Sequence, residues 1–408
     1  MEIVNLIIEG NLYMNKFAIE KITIQGIGGI TNLELPFKSG LNLICGTNGI
    51  GKTTILECIS HAFIRNTTYK LKKNVNVQKG TCLLTFQDNG EKKNTTYTLT
   101  HFNPTGESDF INKMAEYSQN ILFFNSQRSF EYQNLATISR DPDKSLSQTA
   151  SEAYTGISAN DIKNWFIQRY MWSAHKDALK PEQLYNLNIG KNCFNVLDSA
   201  VCFSRVIPDT NDIMVCTQQG EVYFEYLSSG YKSCMYILLG IIKEIEFRFK
   251  NPYIKVQDFT GIILIDEIDV HLHPQWQENL IKALKNLLPK AQIIATTHSS
   301  SMIQCAMATE IIPLQFDDNH NIIVKELTTS KYGYQGWSIE EILTEVMGMK
   351  SIHSELFSSM LTKFDKAIDN GDIGTAKSCY AELDIMLHPS NPLRKMLEIE
   401  MIGVDSND

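Results

Sequence analysis

Residues Gly46–Thr53 read GTNGIGKT, and this stretch decides the fold of the 408-residue chain. It matches the pattern G-x-x-x-x-G-K-[ST], in which a glycine-rich loop surrounds phosphate groups. The apolar run Leu41–Cys45 predicts a buried strand before the loop, and the apolar spacing from Thr53 to Phe63 predicts a helix after it. A loop between a strand and a helix directs backbone N–H groups and the positive helix end at one anion. The stretch therefore predicts a nucleotide-binding P-loop.

The individual residues of the loop predict how ATP and Mg²⁺ are held. Gly49 and Gly51 lack a Cβ, so the backbone can wrap closely around phosphate. Lys52 is expected to reach the β- and γ-phosphates, and the Thr53 hydroxyl is expected to ligate Mg²⁺. The predicted nucleotide-binding residues of this region are Asn48, Gly49, Ile50, Gly51, Lys52, Thr53 and Thr54.

Two later strand ends carry the predicted catalytic groups. The apolar run Ile262–Ile265 ends in Asp266 and Glu267. An aspartate at a strand end can hold Mg²⁺ through water. The adjacent Glu267 faces the other way on the strand geometry, where it can act as general base toward the attacking water. His298 follows the core strand Ala291–Thr296, at the carboxyl edge where open α/β sheets bind ligands, and is expected to contact the γ-phosphate.

The order of the elements predicts an α/β fold. Strands alternate with helices on both sides of the P-loop, which favours a mostly parallel sheet. Asp88–Gly90 and Gln218–Gly220 are turn signals between short strands and predict antiparallel β hairpins. A helical pattern at about 129–202 predicts a helical insert. Residues 1–336 are the predicted ATPase domain, residues 337–408 a C-terminal helical tail, and residues 1–13 either a short strand or an extension upstream of Met14.

Composition restricts the class of protein further. The net charge of −9 gives no general attraction to nucleic acid, so any DNA contact needs a local basic patch. Nine scattered cysteines without a C-x-x-C pair predict reduced thiols in a cytoplasmic protein. No apolar run has the length needed to cross a bilayer, and the start has no signal-peptide pattern. The one basic concentration is open to DNA contact or to simple solvation: Lys70, Lys72, Lys73, Lys79, Lys92 and Lys93, with Tyr69 nearby.

Four segments that follow the P-loop occur in the order of a known family: Leu227–Ser233, Ile262–Glu267, His271–Pro274 and Thr296–Ser299. Together with the P-loop they resemble the ABC-type ATPases of the RecF/SMC/Rad50 kind. More narrowly, the chain is similar to the AAA-15/AAA-21-like ATPases of bacterial anti-phage defence, including the ATPase subunits of Septu systems, which some retron operons also contain. The resemblance implies an ABC-ATPase head over about residues 16–330.

The resemblance also implies roles for residues far from the P-loop. Ser228, Ser229 and Gly230 match the family's signature motif, which binds the γ-phosphate held by a second copy of the chain. This implies a head-to-tail dimer, or a higher oligomer, with ATP between the copies. Gln127 resembles the Q-loop glutamine that joins the Mg²⁺ shell, although the neighbouring Arg128 could take that role.

Three departures from the family pattern stand out. Tyr231 occupies a position where the signature motif usually has Gln or Glu, which bears on contacts between subunits. Gly26–Gly29 replaces a stretch that often carries an arginine touching ATP. Only about a hundred residues separate Gln127 from Ser228, without sustained heptads, and this excludes a long coiled-coil arm.

The resemblance implies an ATP-hydrolysing regulator of an anti-phage defence complex. The chain contains no recognisable nuclease motif, so the cutting activity is expected in a separate HNH-type subunit that docks on the tail. One alternative is a RecF-like DNA repair ATPase, which predicts hydrolysis stimulated by DNA. The other is a nucleotide-gated scaffold with little turnover, for which Glu267→Gln would change nothing.

Overall fold

The computed structural model describes residues 17–65, 70–106, 114–128, 132–327, 330–349 and 352–405. The predicted features at Tyr69 and at residues 1–13 lie outside these residues. The strands in the described part are β1 (Phe17–Ile27), β2 (Ile30–Pro36), β3 (Leu41–Cys45), β4 (Gly80–Asp88), β5 (Glu91–Leu99), β6 (Ile121–Phe124), β7 (Cys202–Ile207), β8 (Asp212–Thr217), β9 (Gly220–Tyr223), β10 (Ile262–Ile265), β11 (Gln292–Thr296), β12 (Ile311–Phe316) and β13 (Ile322–Val324).

The helices of the described part are mostly those that the apolar spacing predicts. They are α1 (Lys52–His61), α2 (Leu146–Thr155), α3 (Ile162–Trp172), α4 (Pro181–Asn192), α5 (Ser229–Arg248), α6 (Pro274–Leu287), α7 (Ser300–Cys305), α8 (Ile339–Glu341), α9 (Glu355–Asp369), α10 (Ile373–Met386) and α11 (Pro392–Asp405). Pro274 opens α6 at its first turn, the position where a proline costs no helical hydrogen bond.

A six-stranded sheet in the order β13-β12-β3-β11-β10-β6 forms the centre of the ATPase unit. Its strands pair in parallel except for β13, which pairs antiparallel with β12. Strands β3, β6, β10 and β11 are buried along their whole length, as expected when helices cover both faces. The carboxyl ends of β3, β6, β10 and β11 meet at one edge, which brings the P-loop close to the ends of β10 and β11. The predicted mixed sheet is confirmed.

Antiparallel strands and a helical insert complete the unit. The four-stranded sheet β2-β1-β4-β5 contains the hairpin predicted at Asp88–Gly90, and β8 and β9 form the one predicted at Gln218–Gly220. Strand β7, which pairs with β8, is not among the predicted strands. The insert contains α2, α3 and α4, with Trp165 and Phe166 of α3 fully buried in the same apolar cluster as α5.

The C-terminal unit begins later than the sequence predicts. The chain forms two compact units, one ending at Gly348 and the other beginning at Met349, whereas the predicted boundary is at residues 336 and 337. Ile342 and Val346 are buried in the core cluster of the ATPase unit, so the segment around them belongs to that unit. The helical spacing of apolar residues in this segment predicts that one helix face is buried, but it does not indicate which unit of the protein covers that face.

Helices α9, α10 and α11 make up the second unit. They enclose a small apolar cluster that contains Phe364, Leu383 and Leu397. Several large apolar side chains of this unit remain exposed: Leu356, Ile385, Met386, Met396, Ile399 and Ile402. Across the described residues, none of the helices combines the length and the apolar character needed to cross a membrane.

Candidate functional site

The P-loop connects β3 to α1, as predicted. Gly49 and Gly51 have φ angles of 76° and 94°, a region that residues with a Cβ rarely adopt. Lys52 is buried, and its Nζ donates hydrogen bonds of 2.9 Å to the carbonyl oxygens of Gly46 and Thr47. The lysine therefore lies folded against its own loop. Of the other predicted loop residues, Asn48 is exposed, Ile50 is buried and Thr54 is half-buried.

The hydroxyl of Thr53 and the carboxylate of Asp266 are in direct contact. The Thr53 Oγ1 donates to the two carboxylate oxygens of Asp266 at 3.0 and 3.1 Å, across 213 positions of sequence. Both groups supply the hard oxygen atoms that Mg²⁺ prefers. The sequence assigned both residues to one magnesium site, and the fold brings them together, so the donor set fits this cation.

Glu267 is adjacent to that pair but does not continue the strand. Strand β10 ends at Ile265, and Glu267 has a φ of 47°, in the left-handed region. The expectation that strand alternation directs its side chain is therefore wrong, because a turn sets its direction. The side chain is half-buried.

His298 shares the environment of these charged groups. Its pKa is lowered, chiefly by burial and next by the charge of Lys52, while nearby carboxylates act in the opposite direction. The pKa of Lys52 is also lowered, first by its burial. A half-buried His298 close to Lys52 favours the neutral imidazole, which keeps one N–H available as a hydrogen-bond donor. The backbone N–H of His298 donates to Asp269 Oδ1 at 3.1 Å, which fixes the start of this loop.

Gln127 and Arg128, the two residues considered for the Q-loop role, have different environments in the structure. Gln127 is exposed, and its side chain forms no hydrogen bond within the described part of the chain. Arg128 is 8% exposed, and its Nη2 donates to the carbonyl oxygen of Asp266 at 2.6 Å and to that of Glu267. Of the two, only Arg128 is placed against the acidic strand end. Gln127 as a magnesium ligand stays a prediction.

The signature segment forms the N-terminus of α5. Ser228 is the N-cap, and its hydroxyl accepts a hydrogen bond from the backbone N–H of Tyr231 at 3.3 Å. Ser228 and Ser229 are exposed, whereas Gly230 is buried. A Cβ on Gly230 would collide with the carbonyl oxygen of His271, so only glycine fits there. The segment thus presents two serine hydroxyls and a helix N-terminus to solvent.

Tyr231, the departure from the signature pattern, faces the interior. It is 2% exposed and its ring packs edge-on against Trp276, with ring centroids 5.8 Å apart. A buried ring cannot contact a second copy of the chain. The presence of tyrosine at position 231 therefore does not alter the exposure of Ser228 and Ser229.

The basic concentration is largely engaged within the chain. Lys73 Nζ donates to the carbonyl oxygen of Val77 at 2.7 Å, and Lys93 pairs with Asp88 at 2.6 Å. Lys92 pairs with Glu20 at 2.8 Å. These contacts give no separate support for DNA binding, which stays a prediction.

Thr296 is the site residue that sequence reasoning missed. Its Oγ1 donates to Asp266 Oδ1 at 2.7 Å and accepts from the backbone N–H of Glu267 at 2.7 Å, and its side chain is fully buried. A threonine at the end of an aliphatic strand, directly before the Thr-His pair, was the available signal.

The fold and the site define a class of protein. A phosphate-binding loop, an acidic strand end and a histidine after the next strand share one edge of a parallel sheet, with antiparallel hairpins and a helical insert around it. These features define a P-loop ATPase domain, and the protein is an ATP-binding ATPase.

Comparisons with known proteins specify the family. The AAA ATPase domain family, AAA_15, matches residues 18–99 and 64–303. Septu protein PtuA of Bacillus thuringiensis is 44% identical over 385 residues, which is 94% of this chain and 97% of that protein. The retron Vc95 probable ATPase of Vibrio cholerae serotype O1 biovar El Tor is 26% identical over 39% of this chain and 30% of its own length. The SMC head domain from Thermotoga maritima aligns with a TM-score of 0.40 and 15% identity over 76% of this chain and 99% of that domain.

The chain belongs to the AAA_15 family of AAA ATPase domains. The resemblance to the ATPase subunits of Septu systems, which the motifs indicated, is confirmed by the match along nearly the whole of both chains.

Proposed function

We propose that this protein is the ATP-hydrolysing regulatory subunit of a bacterial anti-phage defence complex. In this proposal the chain works in the cytoplasm, dimerises head to tail on ATP and Mg²⁺, and thereby controls a separate HNH-type nuclease subunit. The observation that carries the proposal is the contact between Thr53 and Asp266, with Glu267 and His298 beside it.

Each residue of the site has a stated task in the proposed reaction. Lys52 and the loop N–H groups bind the β- and γ-phosphates. Thr53 and Asp266 would hold Mg²⁺, which when bound supplies positive charge to the phosphate oxygens. Glu267 accepts a proton from the attacking water, and His298 donates a hydrogen bond to the γ-phosphate.

The proposed dimer is based on the exposed serines at the N-terminus of α5, which we expect to bind a phosphate group held by another copy of the chain. Ser228 and Ser229 have free approach from solvent, and their helix N-terminus is suited to an anion. The Ser228 hydroxyl accepts a local hydrogen bond from the backbone N–H of Tyr231. A second copy, arranged head to tail, would add this serine cap to the γ-phosphate bound at the P-loop.

We propose that the separate nuclease subunit docks on the C-terminal unit, which begins at Met349. Its exposed side chains Ile385 and Ile399 are 80% and 68% accessible, and exposed aliphatic groups on a small helical unit suit a protein partner. The match to a Septu protein along 94% of this chain is consistent with a subunit that works in a complex.

The experiment tests whether ATP hydrolysis by this chain is required for protection of cells against phage. The gene is expressed with its native neighbours in a phage-sensitive host, and plaque formation is counted beside ATP hydrolysis by the purified chain. Lys52→Ala and Glu267→Gln should each abolish protection and lower the rate of hydrolysis by at least about 100-fold. Ile385→Glu combined with Ile399→Glu should abolish protection and partner co-purification, with hydrolysis unchanged.

Lys363→Glu, an exposed change on α9, serves as the matched control and should leave both readouts at the wild-type level. Full protection by the Glu267→Gln protein would contradict a regulatory role for hydrolysis. Hydrolysis that rises severalfold on addition of DNA to the purified chain would instead support the DNA-repair alternative.

A further inference from the structure

The turn that carries Glu267 lies at the end of β10, the strand between β6 and β11 in the central sheet. Parallel pairing keeps the ends of the three strands level: Ile265 of β10 is paired with Phe124 of β6 and with Ala295 of β11. Side chains at or just beyond the ends of β6 and β11, the two strands that flank β10, can therefore reach this turn from both sides.

From the β6 side, Arg128 reaches the backbone of the turn. Its Nη2 donates to the carbonyl oxygens of Asp266 and Glu267. Burial lowers the pKa of the guanidinium, and its Nε and Nη1 are buried without a hydrogen-bond partner in the described residues. A buried cation with unused donors destabilises the folded state relative to an apolar side chain, so a stabilising role does not explain it.

From the β11 side, Thr296 forms hydrogen bonds with the same turn. Its hydroxyl accepts the N–H of Glu267 and donates to the carboxylate of Asp266, each at 2.7 Å. Both hydrogen-bonding functions of the hydroxyl are thus used at one point. The two side chains together hold the N–H and the C=O of Glu267 and the C=O of Asp266.

We propose that Arg128 and Thr296 form a clamp that holds Glu267 in its left-handed conformation and so aims its carboxylate at the attacking water. Residues with a Cβ avoid φ angles such as the 47° of Glu267, and such a conformation persists only where the surroundings fix it. Both are positioning residues: they contact the backbone of the general base. The inference rests on the proposed function, because it takes Glu267 as that base.

The clamp predicts a loss of turnover without a loss of ATP binding. With the full chain, ATP and Mg²⁺, Arg128→Met and Thr296→Val should each lower kcat by about 100-fold, the cost of misplacing a catalytic group by about 1 Å. KM for ATP should stay within about twofold, because neither side chain binds the phosphates in this account. Thr296→Ser keeps the hydroxyl and should restore most of the rate, and Arg128→Lys keeps one donor and should restore part of it.

Matched changes elsewhere separate positioning from general damage. Thr149→Val removes another buried threonine hydroxyl, bonded to Ser118 at 2.7 Å, and Arg205→Met removes an arginine paired with Glu221 on the surface. Both should leave kcat of the folded protein unchanged. If Arg128→Met does not fold, the pair Thr296→Val and Thr296→Ser carries the same comparison.

The closing experiment repeats Arg128→Met in the Glu267→Gln protein and follows single-turnover hydrolysis. A clamp acts only through Glu267, so adding Arg128→Met should not lower the residual rate further. A further drop of about 100-fold would overturn the clamp. A Glu267→Gln rate equal to wild type would overturn the proposed function and the clamp with it, whereas an impaired Glu267→Gln beside a normal Arg128→Met would overturn the clamp alone.

Discussion

Two helix N-termini in this protein carry side-chain hydroxyl groups but have different surroundings. The N-terminus of α1 follows Gly51 and has Lys52, Thr53 and the Asp266 carboxylate at hand within the same chain. The N-terminus of α5 follows Ser228, is exposed, and uses its cap to satisfy its own backbone. Both can bind an anion, and the first has in addition a buried lysine and a pair of metal-ligand oxygen groups beside it.

The difference indicates how the work of the site is divided. In the proposed function, the groups that bind phosphate and activate water at α1 are fixed by contacts inside one chain. In the same proposal, the serines at the N-terminus of α5 contribute to the reaction only when a second copy of the chain brings its bound phosphate to them. The account therefore predicts that changes at α1 act on a single chain, whereas changes at α5 act only on the assembly.

The largest expected effect is at α1 itself, where one substitution should reduce both ATP binding and hydrolysis. Lys52→Ala removes the buried cation of the loop, and ATP affinity should fall by at least about 100-fold, since a charge-assisted contact to phosphate in a buried site is lost. Titration with a fluorescent ATP analogue measures it. Lys282→Ala, an exposed lysine on α6, should bind as wild type; ATP affinity within twofold of wild type in Lys52→Ala would refute the P-loop assignment.

The next effect separates binding from hydrolysis at the same site. Glu267→Gln keeps the size of the side chain but cannot accept a proton, so the rate should fall by about 10²–10⁴-fold, the usual contribution of a general base. Affinity for ATP should stay within about twofold. Rapid-quench measurement of a single turnover is the test, and a rate within threefold of wild type would remove Glu267 from the mechanism.

A smaller effect is expected from the cap of α5. Ser229→Glu places a negative charge at the first helical position, which the helix dipole tolerates, so the chain should fold normally. The charge repels the γ-phosphate of a second copy, and turnover should fall by about 10- to 100-fold while a single chain binds ATP as before. Wild-type turnover at all protein concentrations would show that the cap has no part in the reaction.

The smallest effect concerns stability and appears only in acid. His61 ends α1 and is 1% exposed, and neither ring nitrogen has a hydrogen-bond partner among the residues that the structure describes. Burial lowers its pKa from 6.5 to about 4. The folded state thus favours the neutral ring, so this contribution to stability is complete above pH 6.5 and is lost as the pH falls toward 4. The full shift corresponds to about 3 kcal/mol of unfolding free energy.

His61→Phe keeps an aromatic ring against Tyr97, whose ring centroid is 4.7 Å from that of His61, but cannot be protonated. Its unfolding free energy, from urea titrations between pH 7 and pH 4, should decline less steeply than that of wild type. His388→Phe changes an exposed histidine and should follow the wild-type curve. Parallel curves for His61→Phe and wild type would contradict the assignment.

The sequence predicts most of the α1 site because its determinants are local. The P-loop, the acidic end of β10 and the histidine after β11 are short patterns attached to strands, and parallel strands bring their ends together without further information. The left-handed turn at Glu267 and the burial of Arg128 depend on hydrogen bonds from β6 and β11, which no local pattern encodes. The late boundary at Gly348 likewise depends on which core covers Ile342.

The central claim is that one ATP is bound by two copies of the chain. The most direct test measures the mass of the Glu267→Gln protein by light scattering with and without ATP and Mg²⁺. The account predicts a nucleotide-dependent increase to at least two copies, abolished by adding Ser229→Glu. A mass of one chain in both conditions, with ATP bound, would contradict it.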